Sequence, residues 1–286
     1  MTGRVLLIGA AGLVGRHVRA ALADRDVVAT FHSDPVDGGE RLDITDAAAV
    51  RRLVRRARPD AVILAAADPY VERCERDPAG TRRVNVDAAA TLRAAAADAT
   101  LVVFSSEYVF DGTRLAYRED DAVAPLNEYG RQKVALEEIA RSSPKHLVLR
   151  ISGVFGDEPR RKNFVWQLVD RLRAGGTFDV PSDQLITPTD AASLGTALRE
   201  LLDAGATGTF HAAGPEIVGR AVFAGMVARA FGLDETLIRA RPTAELGLLA
   251  KRPAKAGLAD ATLQERLGHG LRRVEEALAD LAASAG

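Results

Sequence analysis

At 286 residues and 47% hydrophobic composition, the chain is long enough to bury a large core in one domain, or in one domain with a smaller companion. Its 38 basic and 39 acidic side chains leave a net charge of −1, which gives no electrostatic reason to expect nucleic acid or an anionic membrane as a partner. The single cysteine, Cys74, excludes an internal disulfide and fits a reducing, cytoplasmic setting; with no histidine beside it, in what reads as a helix end, it is not assigned as a catalytic thiol.

The chain opens on Arg4 to Ile8, a short run of Val, Leu and Ile of the kind found in buried parallel strands. Apolar residues at helical spacing then run from Gly12 to Ala23. Val27 to Phe31 reads as a second strand. Ala47 to Ala57 reads as a helix with Val50, Leu53 and Val54 inward and Thr45 or Asp46 as its cap. Pro59-Asp60 breaks it ahead of a third strand, Ala61 to Leu64. A long helix is expected over Ala79 to Ala97, a fourth strand over Leu101 to Phe104, a helix over Asn127 to Arg141 and a fifth strand over His146 to Arg150. Strands alternating with helices of this length require right-handed crossovers, so the expected class is α/β: a Rossmann-type doubly wound parallel sheet.

After Ile151 the loops lengthen, over Gly156 to Lys162 and Gly175 to Pro188, and the pattern is less regular. Asp190 to Asp203 reads as a helix and Gly208 to Ala212 as a strand returning to the main sheet; helices near Ala221 to Ala230 and Arg272 to Ala283 close the chain. The expected division is a cofactor-binding domain over 1–152, with 190–212 returning to it, and a smaller interleaved C-terminal substrate region over 153–286. No signal peptide is read at the start, and no charge-free apolar run reaches the roughly 18 residues of a membrane span. His17, His32, His146, His211 and His269 show no ligand spacing, so no metal is expected.

Gly9, Gly12 and Gly15 follow the first strand and open the first helix. In that setting the first glycine permits the tight turn, the second lets backbone N–H groups approach a pyrophosphate, and the third lets helix and strand pack closely. Ala11, Leu13 and Val14 complete the turn at the positive end of the helix. A fold that takes NAD usually ends its second strand on an acid that holds the ribose 2′-OH. Here that position reads Phe31-His32-Ser33, and Asp34 comes late, before Pro35. Room for a 2′-phosphate beside His32 and Ser33 favours NADP(H), with NAD(H) left open. Asp43 and Ile44 are placed at the adenine edge, and the small residues Ala65, Ala66 and Ala67 let the cofactor lie across the sheet edge.

Tyr129 and Lys133, four apart, share a helix face. An ammonium beside a phenol lowers its ordinary pKa of about 10. Lys133 can also donate to ribose hydroxyls, and Ser106, after the fourth strand, can hydrogen-bond a substrate carbonyl. The three suit hydride transfer from a nicotinamide to a carbonyl, with Tyr129 giving the proton.

The segments Ser105-Ser106-Glu107-Tyr108-Val109-Phe110-Asp111-Gly112, Tyr117-Arg118-Glu119-Asp120-Asp121 and Pro125-Leu126-Asn127-Glu128-Tyr129-Gly130-Arg131-Gln132-Lys133 resemble the extended short-chain dehydrogenase/reductase superfamily. Within it the chain is most similar to the dTDP-4-dehydrorhamnose reductase family, which includes the regulatory beta subunit of methionine adenosyltransferase. Leu149-Arg150, Asn163-Phe164, Asp183-Gln184, Pro188-Thr189 and Arg252-Pro253 extend the likeness over nearly the whole chain. The resemblance implies NADPH-dependent reduction of a 4-keto group on a nucleotide-activated deoxysugar. It implies Ser106, Tyr129 and Lys133 at the catalytic positions, and Ser106, Glu107, Tyr108, Asn163, Gln184 and Arg252 near substrate. The alternative is a non-catalytic NADP-binding regulatory subunit. Some relatives dimerise, so a homodimer is left open. The family usually has Asp at Glu107, often Thr at Ser106, and a glycine within the stretch Leu185-Ile186-Thr187, so the sugar is not fixed. Dehydratases carry Asp-Glu where this chain has Glu107-Tyr108, and Tyr108 cannot replace that glutamate.

Overall fold

In the computed structural model, which describes residues 3–285, the first half alternates strand and helix as the pattern requires. β1 (Val5–Ile8) is buried at every position and leads into α1 (Leu13–Ala21). β2 (Val27–Phe31), the two-residue β3 (Glu40–Arg41), α2 (Ala47–Ala57) and β4 (Ala61–Leu64) follow. Asp46 caps α2, accepting from the Ala48 and Ala49 amides at 2.9 and 3.0 Å. Then comes α3 (Val71–Arg76), too short to show a period in the sequence. The helix expected over 79–97 is not uniform. α4 (Pro78–Arg82) widens into a π-turn over Arg83–Asp87 before α5 (Ala88–Ala95). β5 (Thr100–Ser106) runs on past Phe104 and carries both serines to the sheet edge. β6 (Thr113–Tyr117), α6 (Glu128–Arg141) and β7 (His146–Ile151) complete this half, with Asn127 capping α6.

The second half holds more structure than its sequence suggests. β8 (Val154–Phe155) and α7 (Phe164–Arg173) precede β9 (Phe178–Pro181) and β10 (Leu185–Ile186). The stretch Gly175 to Pro188 is therefore not one loop, as expected, but two short strands. β11 (Thr189–Asp190), α8 (Ala191–Asp203) and β12 (Gly208–His211) follow, with Asp190 as the cap of α8. β13 (Val218–Gly219), α9 (Arg220–Ala230), β14 (Ile238–Arg241), β15 (Lys255–Leu258), α10 (Ala261–Leu267) and α11 (Val274–Ser284) end the chain.

The main sheet is parallel, in the order β12-β7-β5-β4-β1-β2-β3. The order reverses between β1 and β4, which opens a crevice at their carboxyl ends, where α/β folds bind ligands. Each face has its own apolar core. Leu7, Val18, Ile63, Leu194 and Leu198 belong to the α1 and α8 side, and Leu6, Val50, Leu53, Leu92 and Leu136 to the other. A third core, with Trp166, Leu168, Phe223 and Leu278, sits under α7, α9 and α11. A second sheet, β13-β10-β15-β6, ties the segment after β5 to residues 255–258. Among the described residues no helix is long and apolar enough to cross a membrane, and no cluster of three or more His, Cys, Asp or Glu could hold a metal ion.

Candidate active site

At the crevice, the three glycines meet different demands. Gly9 has φ +90°, and a β-carbon there would stand 2.6 Å from the Ala66 nitrogen, so both the turn and the passing Ala65–Ala67 segment require glycine. A β-carbon on Gly15 would stand 2.1 Å from the Gly9 carbonyl oxygen; here the glycine lets helix pack on strand. Gly12 is different. It is exposed, has φ −76°, and a β-carbon on it would meet only the Gly9 oxygen, at an ordinary 3.6 Å. Nothing inside the protein demands glycine at this point. Gly12 is also the N-cap of α1, offers no side chain, and no acid follows in the first turn. The amides of Leu13, Val14 and Gly15 are left to an outside acceptor, the setting in which helix N-termini take phosphate. The residues present therefore fit a dinucleotide diphosphate.

Beyond Phe31, the side chains of His32 and Ser33 are exposed. The His32 carbonyl accepts from Arg41 Nε at 3.2 Å. The Asp43 carboxylate is engaged by the amide and hydroxyl of Thr45, which hold its pKa below the usual carboxylate range; Ile44 is buried beside it. Sequence reasoning missed Arg160. Its guanidinium donates to Ser33 Oγ at 2.8 Å and pairs with Asp34. Its only signal in the sequence was a basic run, Arg160-Arg161-Lys162, in a loop that nothing local tied to β2.

Ser106, Tyr108, Tyr129, Lys133 and Arg252 converge at the end of β5. The Ser106 hydroxyl donates to Glu107 Oε2 at 2.7 Å, accepts from the Tyr108 amide at 3.2 Å, and lies beside the Tyr129 phenol. The rings of Tyr108 and Tyr129 meet edge-on with centroids 5.7 Å apart. Lys133 Nζ lies 5.5 Å from the Tyr129 ring centroid and donates to the Phe104 carbonyl at 2.8 Å. One expectation needs correcting. The phenol is not pulled down by its ammonium neighbour: burial raises its pKa, and the carboxylate of Glu107 adds to the rise. The reason is geometric, since the ammonium is turned to the Phe104 carbonyl. Burial acts on Lys133 in the opposite sense and brings its pKa down to about 8. Burial also raises the pKa of Glu107.

The remaining substrate candidates fall in two groups. Arg252 donates to Tyr108 Oη at 3.2 Å and to Glu72 Oε1 at 2.7 Å, and Glu72 also accepts from the Leu249 amide at 2.9 Å. Gln184 is buried, bonded through Nε2 to Thr243 at 2.9 Å, and its backbone carbonyl accepts from the backbone amide of Arg220, a residue whose charge acts on Glu107. Asn163 caps α7, and its amide donates to the Gly156 carbonyl and to Glu158, each at 2.9 Å, so its side chain is engaged in holding loop 156–162. Asn85, missed in the sequence because the π-turn has no local signature, clamps the segment after β4. It bonds the Asp68 amide at 2.7 Å, the Asp68 carbonyl at 3.1 Å and Gln132 Oε1 at 2.8 Å. Cys74 lies in the last turn of the six-residue α3, the helix end expected of it. It is fully buried, and burial raises its thiol pKa, so it is not poised as a nucleophile.

A family model described as the RmlD substrate binding domain matches residues 3–285. A probable low-salt glycan biosynthesis reductase of Haloferax volcanii is 35% identical over 96% of each chain. The methionine adenosyltransferase 2 subunit beta of Pongo abelii is 32% identical over 94% of this chain and 84% of its own. The crystal structure of a dTDP-4-dehydrorhamnose reductase from Bacillus anthracis in complex with NADP superposes with a TM-score of 0.90 at 25% identity, covering 99% of this chain and all of that one.

Proposed function

The chain belongs to the RmlD substrate-binding domain family, and from that premise we propose that it is an NADPH-dependent reductase of a 4-keto group on a nucleotide-activated deoxysugar. The observation that carries this reading is the convergence of Ser106, Tyr129 and Lys133 on the same sheet edge as the glycine turn. Residues 1–152 with 190–212 bind the cofactor, and 153–286 bind most of the sugar nucleotide. The amides that follow Gly12 hold the diphosphate, while His32 and Ser33 face the 2′ position, with NAD(H) as the weaker cofactor. When bound, the nicotinamide supplies the hydride.

This chain's own residues handle the proton. The raised pKa of Tyr129 keeps the phenol protonated at neutral pH, the form a reduction needs. Ser106 orients the substrate carbonyl once its hydroxyl turns from Glu107. Lys133, largely charged below its pKa of about 8, holds the cofactor's ribose hydroxyls. Tyr108 and Arg252 line the approach, with Arg252 aimed at the substrate diphosphate and Gln184 beside the sugar.

The second reading, a binding protein without turnover, is favoured by the 32% identity to a methionine adenosyltransferase subunit beta. Steady-state NADPH oxidation with dTDP-4-keto-6-deoxysugars separates the two. Turnover supports the reductase. Tight NADPH binding without turnover across several such sugars rejects it in favour of the binding protein.

A further inference from the structure

Loop 156–162 joins the substrate side of the molecule to the end of β2. At its start the Gly156 carbonyl accepts from Asn163 Nδ2 at 2.9 Å and from Trp166 Nε1 at 3.0 Å. The next carbonyl, of Asp157, accepts from His17 Nε2 at 3.0 Å and from Arg16 Nη1 at 3.4 Å, which ties the loop to α1. Within the loop, Glu158 Oε1 accepts from the Lys162 amide at 2.9 Å. Arg161, in the left-handed region at φ +48°, lays its guanidinium 3.7 Å from the ring centroid of Trp166. The loop backbone is therefore held at several points. Arg160 projects from it to Ser33 and Asp34, two and three residues past the end of β2.

We infer that Arg160 is the residue that reads the cofactor's 2′-phosphate, exchanging its partner Asp34 for the phosphate when NADP(H) binds. The inference rests on the dinucleotide reading proposed above and identifies what selects between its two cofactors. The ribose that follows the glycine turn in this fold lies at the end of the second strand, where Ser33 and Asp34 stand. A guanidinium carries five N–H donors and suits a phosphate bidentately. Of the neighbouring guanidiniums, Arg41 gives its Nε to the His32 carbonyl and Arg16 pairs with Asp157, whereas the contacts to Ser33 and Asp34 come from Arg160. The Arg160–Asp34 pair is 44% and 46% exposed, and pairs so exposed contribute little, so exchange for a dianion is easy. With a plain ribose hydroxyl there is no anion to displace Asp34, and the pair stays closed.

The test is titration calorimetry on the full chain with adenosine 2′,5′-bisphosphate and with AMP. The unaltered protein should bind the bisphosphate roughly 10- to 100-fold more tightly, the scale of hydrogen bonds to a charged group. Arg160→Ala should reduce that preference to within a few-fold while the Kd for AMP holds. Arg160→Lys should keep part of it, and Asp34→Ala should strengthen bisphosphate binding several-fold. Trp166, the chain's one tryptophan, reports on the loop: its fluorescence should respond to the bisphosphate and not to AMP. If Arg160→Ala keeps the full preference, or loses both nucleotides equally at an unchanged Tm, the inference fails and the cofactor reading stands. If the unaltered protein binds neither nucleotide and no NADPH, both fall.

Discussion

Gly12→Ala and Gly15→Ala, three positions apart on one turn, should fail in opposite ways. At Gly15 a β-carbon would stand 2.1 Å from a backbone oxygen, so helix and strand must separate. Overpacking of this kind costs about 1–3 kcal/mol or more, and about 2–4 °C per kcal/mol for a chain of this size puts the loss of Tm at roughly 3–10 °C. At Gly12 the new methyl meets only an ordinary 3.6 Å contact, and φ −76° suits alanine. Losing the glycine cap costs a few tenths to about 1 kcal/mol, and the stiffer unfolded chain returns about 0.4–1 kcal/mol, so Tm should stay within about 3 °C. The methyl does stand where a diphosphate must approach the backbone, so the Kd for NADPH should rise more than about 10-fold, or 1.4 kcal/mol. Differential scanning fluorimetry and NADPH titration on both variants decide the matter. NADPH binding by Gly12→Ala at the unaltered affinity would refute the assignment of this turn to the cofactor. An unchanged Tm for Gly15→Ala would refute the packing argument.

Lys133 acts as a cation only below its pKa of about 8, so kcat for keto reduction should fall as pH rises through 8, and Lys133→Met should remove that inflection from a lower rate. Its folded pKa lies below its ordinary value of about 10.4, so the unfolded chain binds more protons between the two, and this group's contribution to stability rises with pH across that window. His211, fully buried, has its pKa lowered to about 4 by burial. The unfolded chain again binds more protons, here between about 4 and 6.5, so its contribution is complete above pH 6.5 and is lost as pH falls towards 4. His211→Asn should flatten the fall of Tm over that range. Behind the site, Glu137 accepts from Arg150 Nε and Nη2, both at 2.9 Å, with both side chains buried. Glu137→Gln strands the guanidinium and should cost about 3–5 kcal/mol by urea unfolding; a loss under about 1 kcal/mol would mean that water relieves the charge.

Much of the first half was legible because buried parallel strands are continuous apolar runs and their helices carry a clear period. β1, β2, β4, α2 and the pair Tyr129 and Lys133 all lie in such segments. What escaped was set by distant partners. β6 and β15 are short and find each other across more than a hundred residues. The π-turn that buries Asn85 is stabilised by Asp68 and Gln132, not by its own sequence. Arg160 went unassigned because Ser33 lies 127 positions away. The direction of the Tyr129 pKa shift escaped for the same reason: spacing shows that an ammonium shares its helix face, but not that the ammonium faces a carbonyl instead.

The most direct test of the Ser106, Tyr129 and Lys133 site follows an isotope. In a single turnover with NADPH deuterated at C4 of the nicotinamide and a dTDP-4-keto-6-deoxysugar, the label should appear on C4 of the product sugar. The rate should drop by roughly 10²-fold or more in Tyr129→Phe, the scale of a positioned proton donor, with NADPH affinity unchanged. No label on the sugar, or a Tyr129→Phe rate equal to that of the unaltered protein, would contradict the assignment.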